Sequence, residues 1–264
     1  ETDYARLGFG TAASVHLLAE AMRRAFADRA EYLGDPDFAV VPLAGLTSKA
    51  YAKKLYATID SGKATPSVTV KPGLPPKVEP PSTTHISVVD QAGNAVSTTQ
   101  TVNYTFGSCV VAEGTGIVLN DQMDDFSTKP GTPNVFGLVG SDANAVAAQK
   151  TMLSSMSPTL VFAPGGKLRL VAGSPGGPRI ISATVHTILN VVDHRMSLAD
   201  AVHATRIHHQ WIPDELRTEA AGLAPDVEAA LTRMGHKLVA RGGIGDVQAV
   251  LVEAGRLTGV ADIR

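Results

Sequence analysis

Ser82-Thr83-Thr84-His85 places a hydroxyl side chain where the polypeptide could be cut. Upstream, Lys71 to Pro81 is rich in proline and cannot form a regular element. Downstream, Ile86 and Val88 alternate with polar residues, Ala92-Gly93-Asn94 makes a turn, and a second strand runs from Ala95 to Thr101. A threonine at a strand start becomes a nucleophile once the chain before it is removed. Its hydroxyl attacks, and its freed α-amine serves as base, with an unperturbed pKa of about 7.7–8.0. Thr101 and Asn103 are two residues apart, which on a strand puts both on one face. Gly176-Gly177, just before Pro178, leaves backbone N–H groups open to the close approach of an anion.

Other candidates carry less. Gly173 to Gly177 lacks the Lys-Ser/Thr of a phosphate loop and is no Gly-x-Ser-x-Gly elbow. Asp124-Asp125 alone reads as a loop cap or cation cluster, but no further carboxylates stand at metal-binding spacing. His208-His209 are adjacent, so on a helix they face different ways, and no third ligand follows at useful spacing. They are expected to be structural, beside Trp211, as is His85. Cys109 has no partner for an internal disulfide and reads as a small strand residue.

The elements that must hold these groups follow from periodicity and caps. Val15, Leu18, Met22 and Phe26 recur at helical spacing, predicting a helix over about Thr11 to Tyr32. Thr47 or Ser48 caps a second helix running to about Ile59. Gly62 to Ser82 is an exposed connector suited to cleavage, strands dominate Thr83 to Val118, and Asp121 to Lys150 is loop-like. A hairpin joins Thr159–Ala163 to Leu168–Ala172 through Pro164-Gly165-Gly166. Pro178 opens a helix to about Val192, Ser197 with Asp200 caps another, and Pro225-Asp226 starts a third. Strands close the chain at Lys237–Ala240, Val247–Val252 and Leu257–Val260. Helix, strands, helices, strands is an α+β order, expected to stack around antiparallel sheets.

At 264 residues the chain is long enough for a sizeable core, and 44% hydrophobic with 18% charged residues is ordinary globular usage. A net charge of −2 without a basic run argues against nucleic-acid or membrane-surface binding. No stretch approaches the roughly 18 apolar residues of a membrane span. Glu1-Thr2-Asp3 is not a signal peptide.

A series of motifs extends this picture. Ala27-Asp28-Arg29 and Tyr32-Leu33-Gly34-Asp35-Pro36-Asp37-Phe38 precede the threonine step. After it come Thr101-Val102-Asn103, Leu119 to Phe126, and Lys129-Pro130-Gly131-Thr132-Pro133-Asn134. Then follow Leu153-Ser154-Ser155-Met156-Ser157-Pro158-Thr159, Gly173-Ser174-Pro175-Gly176-Gly177 and Ile207 to Leu216. In this order and spacing the chain resembles the γ-glutamyltranspeptidase family of N-terminal-nucleophile hydrolases over essentially its whole length. The resemblance implies a four-layer αββα sandwich in which residues 1–82 are the end of a large subunit with its processing connector. Residues 83–264 are then the small catalytic subunit. Roughly the first half of the family's precursor would lie upstream of Glu1, including an arginine that clamps the substrate α-carboxylate.

The same resemblance implies roles. Thr83 is the nucleophile, first cleaving the Ser82–Thr83 bond and then attacking the substrate. Thr101 hydrogen-bonds its hydroxyl or amine, and Asn103 contacts the substrate's amino-acid end. Gln122 and Asp125 hold the α-amino group, with Asp124 the weaker candidate. A buried ammonium needs such an anionic partner and neutral acceptors. Ser154 and Ser155 grip the α-carboxylate, and Gly176 and Gly177 form the oxyanion hole. Pro130 to Ser141 is a mobile lid, in which Phe136 stands where bacterial members commonly carry tyrosine. A lost hydroxyl would loosen lid closure over Asn103. The implied activity is γ-glutamyl transfer from glutathione and related amides to water, amino acids or dipeptides, without metal or organic cofactor. A large-subunit partner and a periplasmic or extracellular location are also implied. The alternatives are a cephalosporin or glutaryl acylase of the same superfamily, and an unprocessed non-catalytic member.

Overall fold

The computed structural model describes residues 2–70 and 83–264. In chain order the helices are α1 (Tyr4–Leu7), α2 (Ala12–Tyr32), α3 (Leu43–Leu46), α4 (Lys49–Tyr56), α5 (Arg179–Val192), α6 (Leu198–His203) and α7 (Pro225–Arg233). The strands are β1 (Thr83–Val89), β2 (Ala95–Thr101), β3 (Thr159–Phe162), β4 (Leu168–Gly173), β5 (Ile207–His208), β6 (Leu216–Glu219), β7 (Leu238–Arg241), β8 (Gln248–Glu253) and β9 (Arg256–Ala261). Lys71 to Ser82 lies outside the described residues. The first part of the expected exposed connector does not fit that reading: Ser67–Thr69 forms a 3-10 turn, and Ala64 and Ser67 are buried, with Ala64 N–H donating to the Met234 carbonyl and Ser67 N–H to Asp214.

Two compact units emerge, and each draws on several stretches of chain. The first takes residues up to 79, Gln122–Ser154 and Ile207–Arg241; the second takes the stretch ending at Asp121, Ser155–Arg206 and Gly242–Arg264.

In the first unit, α2 starts where Thr11 Oγ1 accepts the Ser14 N–H, as a hydroxyl N-cap should. Val15 and Ala19 on α2 meet Ile207, Leu216, Val227 and Leu231 in a buried cluster. Ser48 caps α4 by accepting from Tyr51 N, and a short α3 precedes it that periodicity did not indicate. The sheet runs β5-β6-β7, with β5–β6 antiparallel and β6–β7 parallel. The expectation of antiparallel pairing throughout therefore fails for β6–β7, whose connection passes through α7.

The second unit carries the sandwich. Its four-stranded antiparallel sheet has the order β3-β4-β8-β9, and β1 and β2 form a separate antiparallel hairpin. The hairpin packs on β4 and β8, while α5 and α6 cover the sheet through contacts with β4, β8 and β9. Leu170, Ala172, Ala183, Val191, Leu198, Val202, Val247 and Ala249 are buried between sheet and helices. The class is α+β, and hairpin, sheet and helices supply β, β and α layers. The outward face of the hairpin leaves Ile86, Val88 and Val96 exposed. Between Thr101 and Val118 the structure corrects the sequence reading, because the chain leaves strand conformation at Asn103, whose φ is +74°. Among the described residues only an isolated bridge, Val111 to Val118, interrupts the loop.

Candidate active site

Thr83 is the first residue of β1 and sits opposite Thr101, the last of β2. Pairing at the open end of a hairpin brings their side chains to one face, and Thr83 Oγ1 donates to Thr101 Oγ1 at 3.1 Å. Thr101 Oγ1 also accepts the Asn103 N–H at 2.9 Å, so a single hydroxyl ties the strand end to the residue two positions on. Asn103 does not share a strand face with Thr101, as its spacing alone predicts; its left-handed backbone turns it away. It is buried, and its Nδ2 donates to the Asp121 carbonyl at 2.9 Å.

His85, two residues after Thr83, organises the surroundings. Ser87 Oγ donates to the Gln248 carbonyl at 2.9 Å, which leaves it to accept from His85 Nε2 at 3.1 Å. Nδ1 then accepts from Thr99 Oγ1 at 2.8 Å, which defines the neutral Nε2–H tautomer. Burial lowers the imidazole pKa, consistent with the neutral ring. The ring lies so close to Gly173 that a Cβ there would stand 2.2–2.6 Å from its atoms. This contact brings the start of β1 beside the end of β4, where the chain leaves for Gly176 and Gly177.

Gly176 and Gly177 have φ of 139° and 57°. Their carbonyls accept the Arg179 and Ile180 N–H groups as α5 begins, at 3.2 and 3.1 Å. Among the described residues neither glycine's own N–H has an acceptor, which leaves two donors at a helix start for an anion. Ser155 belongs to this same unit and is half-buried.

Gln122, Asp125, Phe136 and Ser154 belong to the first unit. Gln122 and Asp125 open and close a single 3-10 turn. The Asp125 carbonyl accepts Asn144 Nδ2 at 2.8 Å, fixing the turn. Arg29 is the residue that sequence reading passed over here. It lines one small cavity with Asp125, and burial lowers its pKa to about 10 while the Asp125 charge raises it. Ala27-Asp28-Arg29 was visible as a motif, but nothing local linked it to a carboxylate so far along the chain. In the 130–141 stretch, Asn134 Oδ1 accepts the Phe136 and Leu138 N–H groups at 3.0 and 3.1 Å. Phe136 is buried, and its carbonyl accepts Gln210 Nε2 at 3.0 Å. At the base, Ser141 N and Oγ donate to the Ala30 and Glu31 carbonyls.

His208 and His209 lie on and just after β5, not on a helix. His209 faces Asp214 at 3.4 Å, and its pKa is lowered by burial. One group the sequence reading did not assemble has donors of metal-ligand type, namely buried His16, Glu20 and His236. Glu20 accepts from Arg23 Nε, Arg24 Nη1, Thr65 N and Thr65 Oγ1, at 3.2, 2.6, 3.1 and 2.6 Å. Its lone pairs are committed and two guanidiniums oppose a cation, so the cluster reads as a buried ion-pair network.

The chain as a whole matches one protein family. The Gamma-glutamyltranspeptidase family profile matches residues 1–264. The chain is 51% identical over 263 residues to the glutathione hydrolase proenzyme of Escherichia coli (strain K12), covering 99% of this chain and 45% of that protein. It is 38% identical over 261 residues to the acylase ACY 1 proenzyme of Pseudomonas sp. (strain SE83), covering 98% and 44%. A solved structure of acivicin-inhibited γ-glutamyltranspeptidase superposes with a TM-score of 0.67 at 50% identity, covering 69% of this chain and 98% of that one. The chain thus spans just under half the length of the curated relatives it matches. On a family match from its first residue to its last, the chain belongs to the γ-glutamyltranspeptidase family.

Proposed function

We propose that this chain is the processing region and small catalytic subunit of a γ-glutamyltransferase. It would act on glutathione and related γ-glutamyl amides in partnership with the rest of a large subunit, in the periplasm or outside the cell. The observation that carries the reading is the hydroxyl pair Thr83–Thr101 at the open end of the hairpin, beside the end of β4 from which the Gly176–Gly177 donors emerge. The 51% identity to a glutathione hydrolase proenzyme supports the substrate class.

The chemistry follows from these groups. Thr83 Oγ attacks the Ser82 carbonyl, the Ser82–Thr83 amide C–N bond breaks, and an ester remains. Water hydrolyses the ester, leaving Thr83 with a free hydroxyl and a free α-amine. In each catalytic cycle that amine takes the hydroxyl proton as Oγ attacks the γ-glutamyl carbonyl. Charge develops on the carbonyl oxygen, where the Gly176 and Gly177 N–H groups would receive it. The proton passes to the departing amine, leaving a γ-glutamyl ester on Thr83. Water or an acceptor amine then attacks that ester and restores the hydroxyl. Gln122, Asp125, Ser154 and Ser155 would hold the amino-acid head group, with Asn103 beside it and Phe136 in the lid. Phe136 has no hydroxyl with which to latch that lid.

In the full-length protein, Thr83→Ala should give one uncleaved chain on a denaturing gel and no γ-glutamyl anilide turnover. Two subunits in that variant would overturn the assignment. The likeness to an acylase is tested by comparing glutathione with a glutaryl amide. A preference for the glutaryl amide would replace the transferase reading.

A further inference from the structure

Ser174, Gly245 and the ion pair Arg206–Asp262 lie outside every role described above, yet they converge on the Gly176–Gly177 turn. Ser174 is fully buried. Its Oγ donates to the Pro175 carbonyl at 2.6 Å and accepts the Asp246 N–H at 2.8 Å. One hydroxyl therefore joins the glycine turn to a second turn that immediately precedes β8.

That second turn approaches as backbone against backbone. Gly245 has φ +78°, and a Cβ there would lie 2.5 Å from Ser174 Oγ and 2.6 Å from Ala183 Cβ. A Cβ on Gly176 would in turn stand 3.2 Å from Gly245 Cα. Only glycine combines that φ with that clearance.

The second turn is itself held from behind. Arg206 and Asp262 form a fully buried pair at 2.7 Å. Arg206 Nη1 donates to the Ile244 carbonyl at 3.1 Å, and Asp262 Oδ2 accepts the Val247 N–H at 3.0 Å. The pair thus grips the residues on either side of Gly245-Asp246. A buried ion pair contributes little net stability by comparison with apolar packing, but here its hydrogen bonds to the Ile244 carbonyl and the Val247 N–H tie down both ends of the turn.

We propose that Ser174 and Gly245 are positioning residues for the reaction, with the Ile244–Val247 turn acting as a buttress that fixes where the Gly176 and Gly177 N–H groups point. Catalysis by such donors depends on their being pre-aligned to the developing oxyanion. Misplacement by about 1 Å can lower a rate about 100-fold. The inference rests on the reading of Gly176 and Gly177 as oxyanion donors.

The test uses the full-length protein carrying Ser174→Ala or Gly245→Ala, with rates normalised to the processed fraction on a gel. Against a γ-glutamyl anilide, Ser174→Ala should lower kcat about 10- to 100-fold while KM stays within about threefold. A boronic acid bearing the γ-glutamyl side chain, whose tetrahedral adduct places oxygen among the donors, should lose affinity by the same factor. Hydrogen exchange of the peptide spanning residues 173–178 should be faster than in the unmutated protein. Gly245→Ala should have the larger effect, and if it does not accumulate folded, Ser174→Ala decides. Unchanged kcat and boronate affinity, or a raised KM at constant kcat, would overturn the proposal. The exchange measurement needs no turnover, so an inactive unmutated protein would count against the function alone, while unchanged exchange would count against the buttress.

Discussion

Asp125 is proposed to hold the substrate ammonium, and a carboxylate in that role must be held without being neutralised. Its backbone is pinned through Asn144, and the half-buried Arg29 side chain lines the same cavity. We predict that Asp125→Asn raises KM for γ-glutamyl donors at least tenfold, with kcat less affected. Truncating one partner of a buried charge pair typically costs about 2–5 kcal/mol. Steady-state kinetics check this, and an unchanged kcat/KM would leave Asp125 as the counter-ion of Arg29 only. Gly173 offers a second prediction. Gly173→Ala should lower Tm because its Cβ meets the His85 ring at 2.2–2.6 Å. Adding His85→Ala should recover part of that loss, since the two residues share one contact. Strictly additive Tm changes would show that the contact is not the source of the strain.

At the scale of elements, α2 does more than cover a core. His16, Glu20, Arg23 and Arg24 are buried on a helix whose apolar residues also face inward. His16 Nε2 donates to the Asp60 carbonyl at 2.8 Å, and its Nδ1 lies 2.7 Å from His236 Nε2. His236 has its pKa lowered to about 4 by burial first, then by the charges of His16 and Arg23, with Glu20 opposing. The folded state therefore binds its proton less readily than the unfolded chain, whose imidazole titrates near 6.5. Stability from this group is present above about pH 6.5 and is lost as pH falls toward 4. His209 is shifted in the same direction. Tm should accordingly fall on acidification through this window, by about 2–4 °C per kcal/mol lost. His236→Gln, which keeps a donor toward His16, should flatten the slope. A slope identical to that of the unmutated protein would exclude His236 as its source.

For the whole molecule, the relevant fact is that the relatives are about twice as long. Ile86, Val88 and Val96 present apolar surface on the hairpin, with 48%, 50% and 55% exposure. An exposed run of β-branched residues beside an unpaired strand edge favours association. In the role proposed for Ser154 and Ser155, neutral hydroxyl donors would hold a carboxylate less firmly than a bidentate arginine. Residues 1–264 expressed alone should therefore turn over a γ-glutamyl anilide far more slowly than the full-length protein, and should aggregate. Equal rates for the two would refute this.

What the amino-acid sequence determined by itself was local. Thr11, Ser48, Ser197 and Pro225 mark helix starts because capping depends on atoms within three residues. The hairpin at Thr159–Gly173 and the closing strands were legible for the same reason, and the motif series carried the family. Tertiary structure decided the rest. Two- and four-residue strands such as β5 and β6 hold no periodicity to read, and pairing of β6 with β7 is settled only when α7 packs. The left-handed backbone of Asn103 overrode its strand-like spacing. Arg29 beside Asp125, His85 against Gly173, and Arg206–Asp262 behind Gly245 join residues far apart in the chain. Such contacts depend on burial and shape complementarity that exist only after the chain has closed on itself, and no local preference encodes them.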